Sequence, residues 1–360
     1  MLKSVFHNVK ITGISCAVPT KYVSNESYYP LFGKEDVDKI IDTTGIKGGY
    51  HVHEKQTASD LAFVAADRLL TEKNIDRSTI GALIFVVSYP DYFVPSTACV
   101  LQKRLNLSMD CLVFDMNMAC SGFVFGLHTA ASFLQSTNIS RALVLVGDST
   151  SKVVSPNDKS RMLFGDAGGA ALIELDDNAE TINFGLKNDG ARFKSIIVPA
   201  GAFRMPNAPR EQTVWFDQNT RSDYNLFMNG ADVFSFTMSD VPSLLKEFME
   251  FYETSVDDVD ALVFHQPNGF ILKHLAKKVK IPLDKVPLSL PKYGNTSGVS
   301  IPVTLCDAYG AEQGTSHHII ICGFGVGLSW GVASLTLETD GILPIIHTDD
   351  YYTDGLVEHE

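Results

Sequence analysis

The second half of this chain echoes the first, and that repetition restricts the fold more than any single motif does. NIDRSTIGALIFV (residues 74–86) resembles SVDDVDALVFHQ (255–266): a short acidic turn, then an apolar strand opening on Ala-Leu. ISRALVLVGDSTS (139–151) has its counterpart in SHHIIICGFGVG (316–327). Between these pairs, MACSGFVFGLHTA (118–130) matches NTSGVSIPVTLCDA (295–308) in position, each a small-residue turn leading into a helix. Three elements recurring in one order predict a duplicated fold with a pseudo-twofold axis, which brings the turns at Cys120 and Asn295 together.

The local pattern agrees. ALIFVVS (82–88), CLVFDM (111–116) and RALVLVGD (141–148) are short, branched and nearly continuous in apolar character, the look of strands buried on both faces. Residues 96–105 and 121–134 carry helical spacing between them, and alternating β and α elements predict a layered α/β architecture. The chain divides into a first half over 1–178 with the candidate nucleophile, a second over 179–340, and a tail over 341–360. Residues 200–225, rich in Pro, Arg, Asn and Gln without periodicity, are expected to form a functional cover or a mobile insertion. The acidic, aromatic tail reads as a surface strap or a frayed end.

Charge and cysteines narrow the function. Twenty-nine Lys and Arg against 42 Asp and Glu leave a net charge of −13, which disfavours nucleic acid as the main partner. Residues 116–140 and 319–337 lack Asp, Glu, Lys and Arg, but Gly, Ser and Thr break both, so buried segments are expected rather than membrane spans. Lys10 interrupts the place where a signal peptide needs its apolar core, so a soluble cytoplasmic protein is expected. The six cysteines form no C-x-x-C pair, which argues against a zinc knuckle, a redox dithiol or a disulfide framework.

Cys120 follows a strand and opens a helix in FDMNMACSGFVFG. A helix N-terminus offers partial positive charge and free backbone N–H groups, so this position predicts a lowered thiol pKa and an oxyanion donor. Ala119, Ser121 and Gly122 leave room for an acyl group. Considered alone, the position favours a small buried core cysteine. VFHQPNGFIL places His265 and Asn268 just past a second strand, and KYGNTSG places Asn295 at the repeat-related turn. Singly these suit a structural histidine and plain helix caps. Together with Cys120 they make one nucleophile and two polar groups that the duplication expects to converge.

MACSGF, HQPN, KYGNTSG, LFGDAGGAAL (163–172) and GFGVGLSWG (323–331) resemble the signature set of the thiolase superfamily, and within it the β-ketoacyl-[acyl-carrier-protein] synthase III enzymes. The likeness runs from about residue 11 to 337. It implies a five-layered α/β/α/β/α fold, a homodimer, and Cys120, His265 and Asn295 as the catalytic set. It implies an acyl-Cys120 intermediate that condenses with malonyl-acyl carrier protein after loss of CO₂, with His265 and Asn295 donating hydrogen bonds to the enolate. The oxyanion hole would be the backbone N–H groups of Cys120 and Val326. Acyl carrier protein and acyl-CoA or another acyl thioester are the implied partners, with no metal or other cofactor. MNGADVFSF (228–236) resembles the family's segment near the pantetheine channel, which makes Met228 and Gly230 candidate substrate contacts, joined by Asn268 of HQPN and Phe324 of GFGVG.

Three positions depart from acetyl-CoA-using members. Lys39, Thr43 and Lys159 stand where those carry Trp, Arg and Arg against the CoA adenine; Lys meets a phosphate but does not stack. Val94 stands where a bulkier residue often closes the acyl pocket, so a longer or branched primer is expected. A rival reading is an acyltransferase that passes the acyl group to oxygen or nitrogen; intact His265 and Asn295 favour condensation. A non-catalytic partner subunit would have lost its nucleophile. A papain-like hydrolase lacks its C-G-[SA]-C-[WY] signature here. His51 and His53 have no evident third ligand and read as surface residues.

Overall fold

The computed structural model describes residues 1–353. Two sheets carry the fold. In chain order their strands are β1 (Leu2–Phe6), β2 (Val9–Val18), β3 (Ala82–Val87), β4 (Leu112–Met116), β5 (Arg141–Asp148) and β6 (Ala167–Leu175). They continue with β7 (Ile182–Asn188), β8 (Ala261–Phe264), β9 (Ser316–Gly325), β10 (Ser329–Glu338) and β11 (Ile346–His347). The main helices are α1 (Ala58–Glu72), α2 (Thr97–Arg104), α3 (Gly122–Ser136), α4 (Gly230–Phe251), α5 (Gly269–Val279) and α6 (Ser300–Tyr309).

One sheet runs β11-β2-β6-β5-β3-β4 and the other β1-β7-β10-β9-β8. The duplication shows in the pairing. In the first sheet β3 lies parallel to β5, followed by antiparallel β6 and β2. In the second, β8 lies parallel to β9, followed by antiparallel β10 and β7. Helices α3 and α6 fill the space between the sheets, where Phe123, Leu127, Ile301 and Val303 join one core with residues of both. Helices α1 and α2 cover the outer face of the first sheet, and α4 and α5 that of the second. The result is a five-layered α/β/α/β/α thiolase-type fold.

Strand alternation explains the continuous apolar runs. Ile84 and Val86 of β3 face the central helices, whereas Leu83 and Phe85 face α1 and α2. Close approach needs glycine at one point in particular. A Cβ on Gly122 would lie 2.3 Å from Val86 Cγ1, so only glycine lets α3 begin against β3.

Three sequence expectations change. CLVFDM is not buried on both faces: β4 is the edge strand, and Leu112 is half exposed. The halves also exchange outer strands. β1 pairs with β7 in the second sheet and β11 with β2 in the first, so cuts at 178 and 340 separate neither sheet cleanly. Finally, residues 200–225 are anchored. Thr213–Val214 pairs with Thr220–Arg221, and buried Arg221 donates to Asp158 at 2.9 Å and to Asp217 at 2.9 Å. Replacing Arg221 by alanine is expected to lower stability by about 3–5 kcal/mol, because Asp158 is left buried without its cation. Denaturant unfolding with an unchanged slope checks this.

The start of the tail is a strap: Ile346–His347 extends the first sheet, and the Tyr352 N–H donates to Asp60 at 2.9 Å. Residues 354–360 lie outside the described residues. The uncharged stretches form α3, β9 and β10, and among the described residues no helix is long and apolar enough to cross a membrane.

Candidate active site

Cys120, His265 and Asn295 line one cavity of about 410 Å³, together with Met228, Phe324 and Val326. Each arrives from the end of an element at the interface of the halves. Cys120 stands in the turn before α3, His265 follows β8, and Asn295 precedes α6. The His265 N–H bonds the Cys322 carbonyl at 2.8 Å, which extends the β8–β9 ladder to the histidine itself. The LFGD motif holds Asn295 from the other side. Asn295 N–H donates to the Leu163 carbonyl at 2.8 Å, and Gly165 N–H to the Asn295 carbonyl at 3.1 Å. A Cβ on Gly165 would lie 2.1 Å from the Tyr293 carbonyl, which is why this approach requires glycine.

One residue ties the three together, and the sequence did not single it out. Ser297 Oγ lies 3.6 Å from Cys120 Sγ. Its carbonyl accepts from His265 Nδ1 at 3.1 Å, and its N–H donates to Asn295 Oδ1 at 2.9 Å. That last bond occupies the Asn295 acceptor and leaves the carboxamide NH₂ to face a substrate.

The sulfur is not ionised as the helix start predicts. Cys120 opens onto the cavity but lies deep, and burial pushes its thiol up to about 11. The nearby Asp148 carboxylate pushes the same way, while the Ser297 hydroxyl and the backbone N–H groups of Cys120 and Val326 oppose it. The last two are the donors expected for an oxyanion hole, and they do approach the sulfur.

His265 is also corrected. A carbonyl oxygen only accepts, so the hydrogen-bond network places the ring proton on Nδ1, toward Ser297 and Ser300. Burial holds the ring down to about 3, so it is neutral and Nε2 is an acceptor. Donation to an enolate therefore needs a second proton on the ring, and Asn295 is the donor already in place.

A smaller chamber of about 250 Å³ adjoins the first, sharing Met228 and Asn295, and Gly230, Asn268 and Thr43 line it. Asn268 also caps α5, accepting from the Ile271 N–H at 2.9 Å. Lys159 and Val94 line neither chamber. Lys159 is drawn instead to Asp36, at 2.5 Å, and Val94 is 82% exposed beside Phe93. His51 and His53 bond separate carbonyls, of Phe164 and Asp349.

Gly325 sits against the nucleophile: a Cβ there would lie 2.6 Å from Cys120 Cβ and 3.0 Å from its sulfur. Gly325→Ala is expected to displace the thiol and cut acylation by about 10²-fold while the fold holds, as misplacements near 1 Å do. Thiol labelling alongside a thermal melt checks it.

Residues 114–190 match the profile described as 3-oxoacyl-[acyl-carrier-protein] synthase III, and residues 249–337 match that of the same enzyme's C-terminal region. A Campylobacter jejuni protein carrying the name 3-oxoacyl-[acyl-carrier-protein] synthase 3 is 34% identical over 94% of this chain and 96% of its own length. The Clostridium perfringens β-ketoacyl-[acyl-carrier-protein] synthase III is 31% identical over 92% of this chain and 99% of its own. The crystal structure of a 3-oxoacyl-(acyl-carrier protein) synthase from Burkholderia xenovorans LB400 superimposes with a TM-score of 0.90 at 32% identity, covering 96% of this chain and 99% of that one.

Proposed function

Given that the chain belongs to the 3-oxoacyl-[acyl-carrier-protein] synthase III family, we propose that Cys120, His265 and Asn295 carry out condensation of an acyl primer with malonyl-acyl carrier protein. The observation that carries this reading is the convergence of all three on Ser297 within one cavity.

The Cys120 sulfur attacks the acyl thioester carbonyl, forming the acyl–sulfur bond and releasing the donor thiol. The backbone N–H groups of Cys120 and Val326 receive the developing oxyanion. Malonyl thioester then loses CO₂, and the electron pair of the broken C–C bond becomes an enolate. The Asn295 NH₂ donates to its oxygen. The anionic malonyl group favours protonation of His265, which then donates from Nε2. The enolate carbon attacks the acyl-Cys120 carbonyl, the carbon–sulfur bond breaks, and the departing sulfur takes the proton that His265 had drawn from solvent, which regenerates the thiol and the neutral ring. Side chains and backbone N–H groups suffice for each step, so no metal or other cofactor is assigned.

The adjoining chambers suit an acyl-pantetheine arm, with Met228, Gly230, Asn268 and Phe324 along it. Lys159, paired with Asp36, and exposed Lys39 favour a carrier-bound primer over free CoA. Exposed Phe93 and Val94 beside Phe203, with the Phe93 and Phe203 rings 5.9 Å apart, favour a second copy of the chain as the cover of this face. Val94 would then border the partner's acyl pocket and admit a long or branched primer.

Incubation with malonyl carrier protein and a panel of acyl thioesters, followed by mass spectrometry, tests the reading. CO₂ release with a product two carbons longer supports it. Acylation without chain extension overturns it in favour of simple acyl transfer.

A further inference from the structure

Ser297 holds an unusual backbone for the task it performs. Its φ is +49°, a left-handed conformation that costs a residue with a side chain on the order of 1–3 kcal/mol and persists only where its surroundings impose it. That conformation lets one residue meet three catalytic groups through its carbonyl, N–H and hydroxyl. The hydroxyl has a further neighbour. It approaches the Cys120 sulfur, and it lines the same cavity as the Asp148 carboxylate, whose pKa it lowers.

Asp148 closes β5, is buried, and lines the same cavity as Cys120. It accepts from the Thr150 N–H at 2.8 Å and from the Thr150 hydroxyl. The titratable groups that face it are Cys120, Tyr89 and Asp166, with Lys152 beyond Asp166 and His265 across the cavity. The reaction drawn above gives this buried carboxylate no part.

We propose that Ser297 and Asp148 form the proton path of the nucleophile. As the Cys120 sulfur bonds to the acyl carbon, its proton passes to Ser297 Oγ, and the Ser297 hydroxyl proton passes to the Asp148 carboxylate. When the donor thiolate leaves, Asp148 returns a proton along the same path, so the site ends at its starting charge. The inference rests on Cys120 being the acylated nucleophile.

Basicity favours this acceptor over the histidine. Burial pushes Asp148 up to about 6 and holds His265 down to about 3, which makes the carboxylate the stronger base. Like charge favours it too. A thiolate beside an ionised Asp148 is repelled, and transfer of the proton to Asp148 removes the repulsion.

Single-turnover acylation by an acyl thioester, read by intact-protein mass spectrometry between about pH 5 and 9, tests the path in Asp148→Asn, Ser297→Gly and Cys120→Ala. Glycine adopts a positive φ without cost, so Ser297→Gly removes the hydroxyl and relieves the backbone. In the wild type the rate is expected to rise as pH climbs through about 6, where Asp148 ionises, and then to level. Both path variants are expected to lose about 10²-fold and that rise, with melting temperatures that do not fall. Iodoacetamide labelling of Cys120 should move the other way in Asp148→Asn, becoming faster because the thiolate loses its repelling neighbour. Acylation within threefold of wild type in both variants, with the rise intact, overturns the path. So does a parallel loss of acylation and labelling, which marks a structural role. Acylation of Cys120→Ala would instead overturn the nucleophile assignment itself.

Discussion

Cys120→Ala forms no acyl adduct and condenses at a rate about 10⁴-fold or more below wild type, the scale seen when a covalent nucleophile is removed. The loss is confined to one half of the reaction. Alanine leaves Asn295 and His265 in position, and their bonds to Ser297 do not pass through the sulfur. The variant therefore still releases CO₂ from malonyl carrier protein without making a longer product. Intact mass and CO₂ release, measured on one preparation, separate the two halves.

Asn295→Ala gives the complementary result. The carboxamide NH₂ is the donor present in the structure for the enolate, so decarboxylation and condensation are expected to fall by about 10³-fold. Acyl loading falls far less, by about tenfold or below, because the lost Oδ1 only steadies the Ser297 N–H. An acyl-Cys120 adduct that accumulates and is not consumed by malonyl carrier protein is the expected signature. Equal loss of loading and decarboxylation would show that Asn295 serves the fold rather than the enolate.

The turns that bear Cys120, His265 and Asn295 were readable because each is a local pattern: an apolar strand, a small-residue turn, a helix. The duplication supplied their convergence. What was hidden depends on tertiary placement. Ser297 lies within KYGNTSG, yet nothing in the letters announces a positive φ or three partners. Asp148 left a trace, since a carboxylate closing the buried run RALVLVGD calls for an explanation. The thiol ionisation was misjudged because sequence reveals a helix start but not the depth of burial around it. Lys159 was a candidate phosphate contact until folding placed Asp36 beside it. The position of β4 at an edge had no local sign either, because an edge strand and an inner one can share a composition.

The exchanged outer strands set the order in which this protein can be completed. Residues 2–6 leave the ribosome early but wait for 182–188, and the edge of β2 is covered only as 342–347 emerge. Such distant pairings are slow to close, and an uncovered edge recruits other chains meanwhile. Released chains that end before residue 342 should thus aggregate, whereas those that extend past 347 should stay in solution.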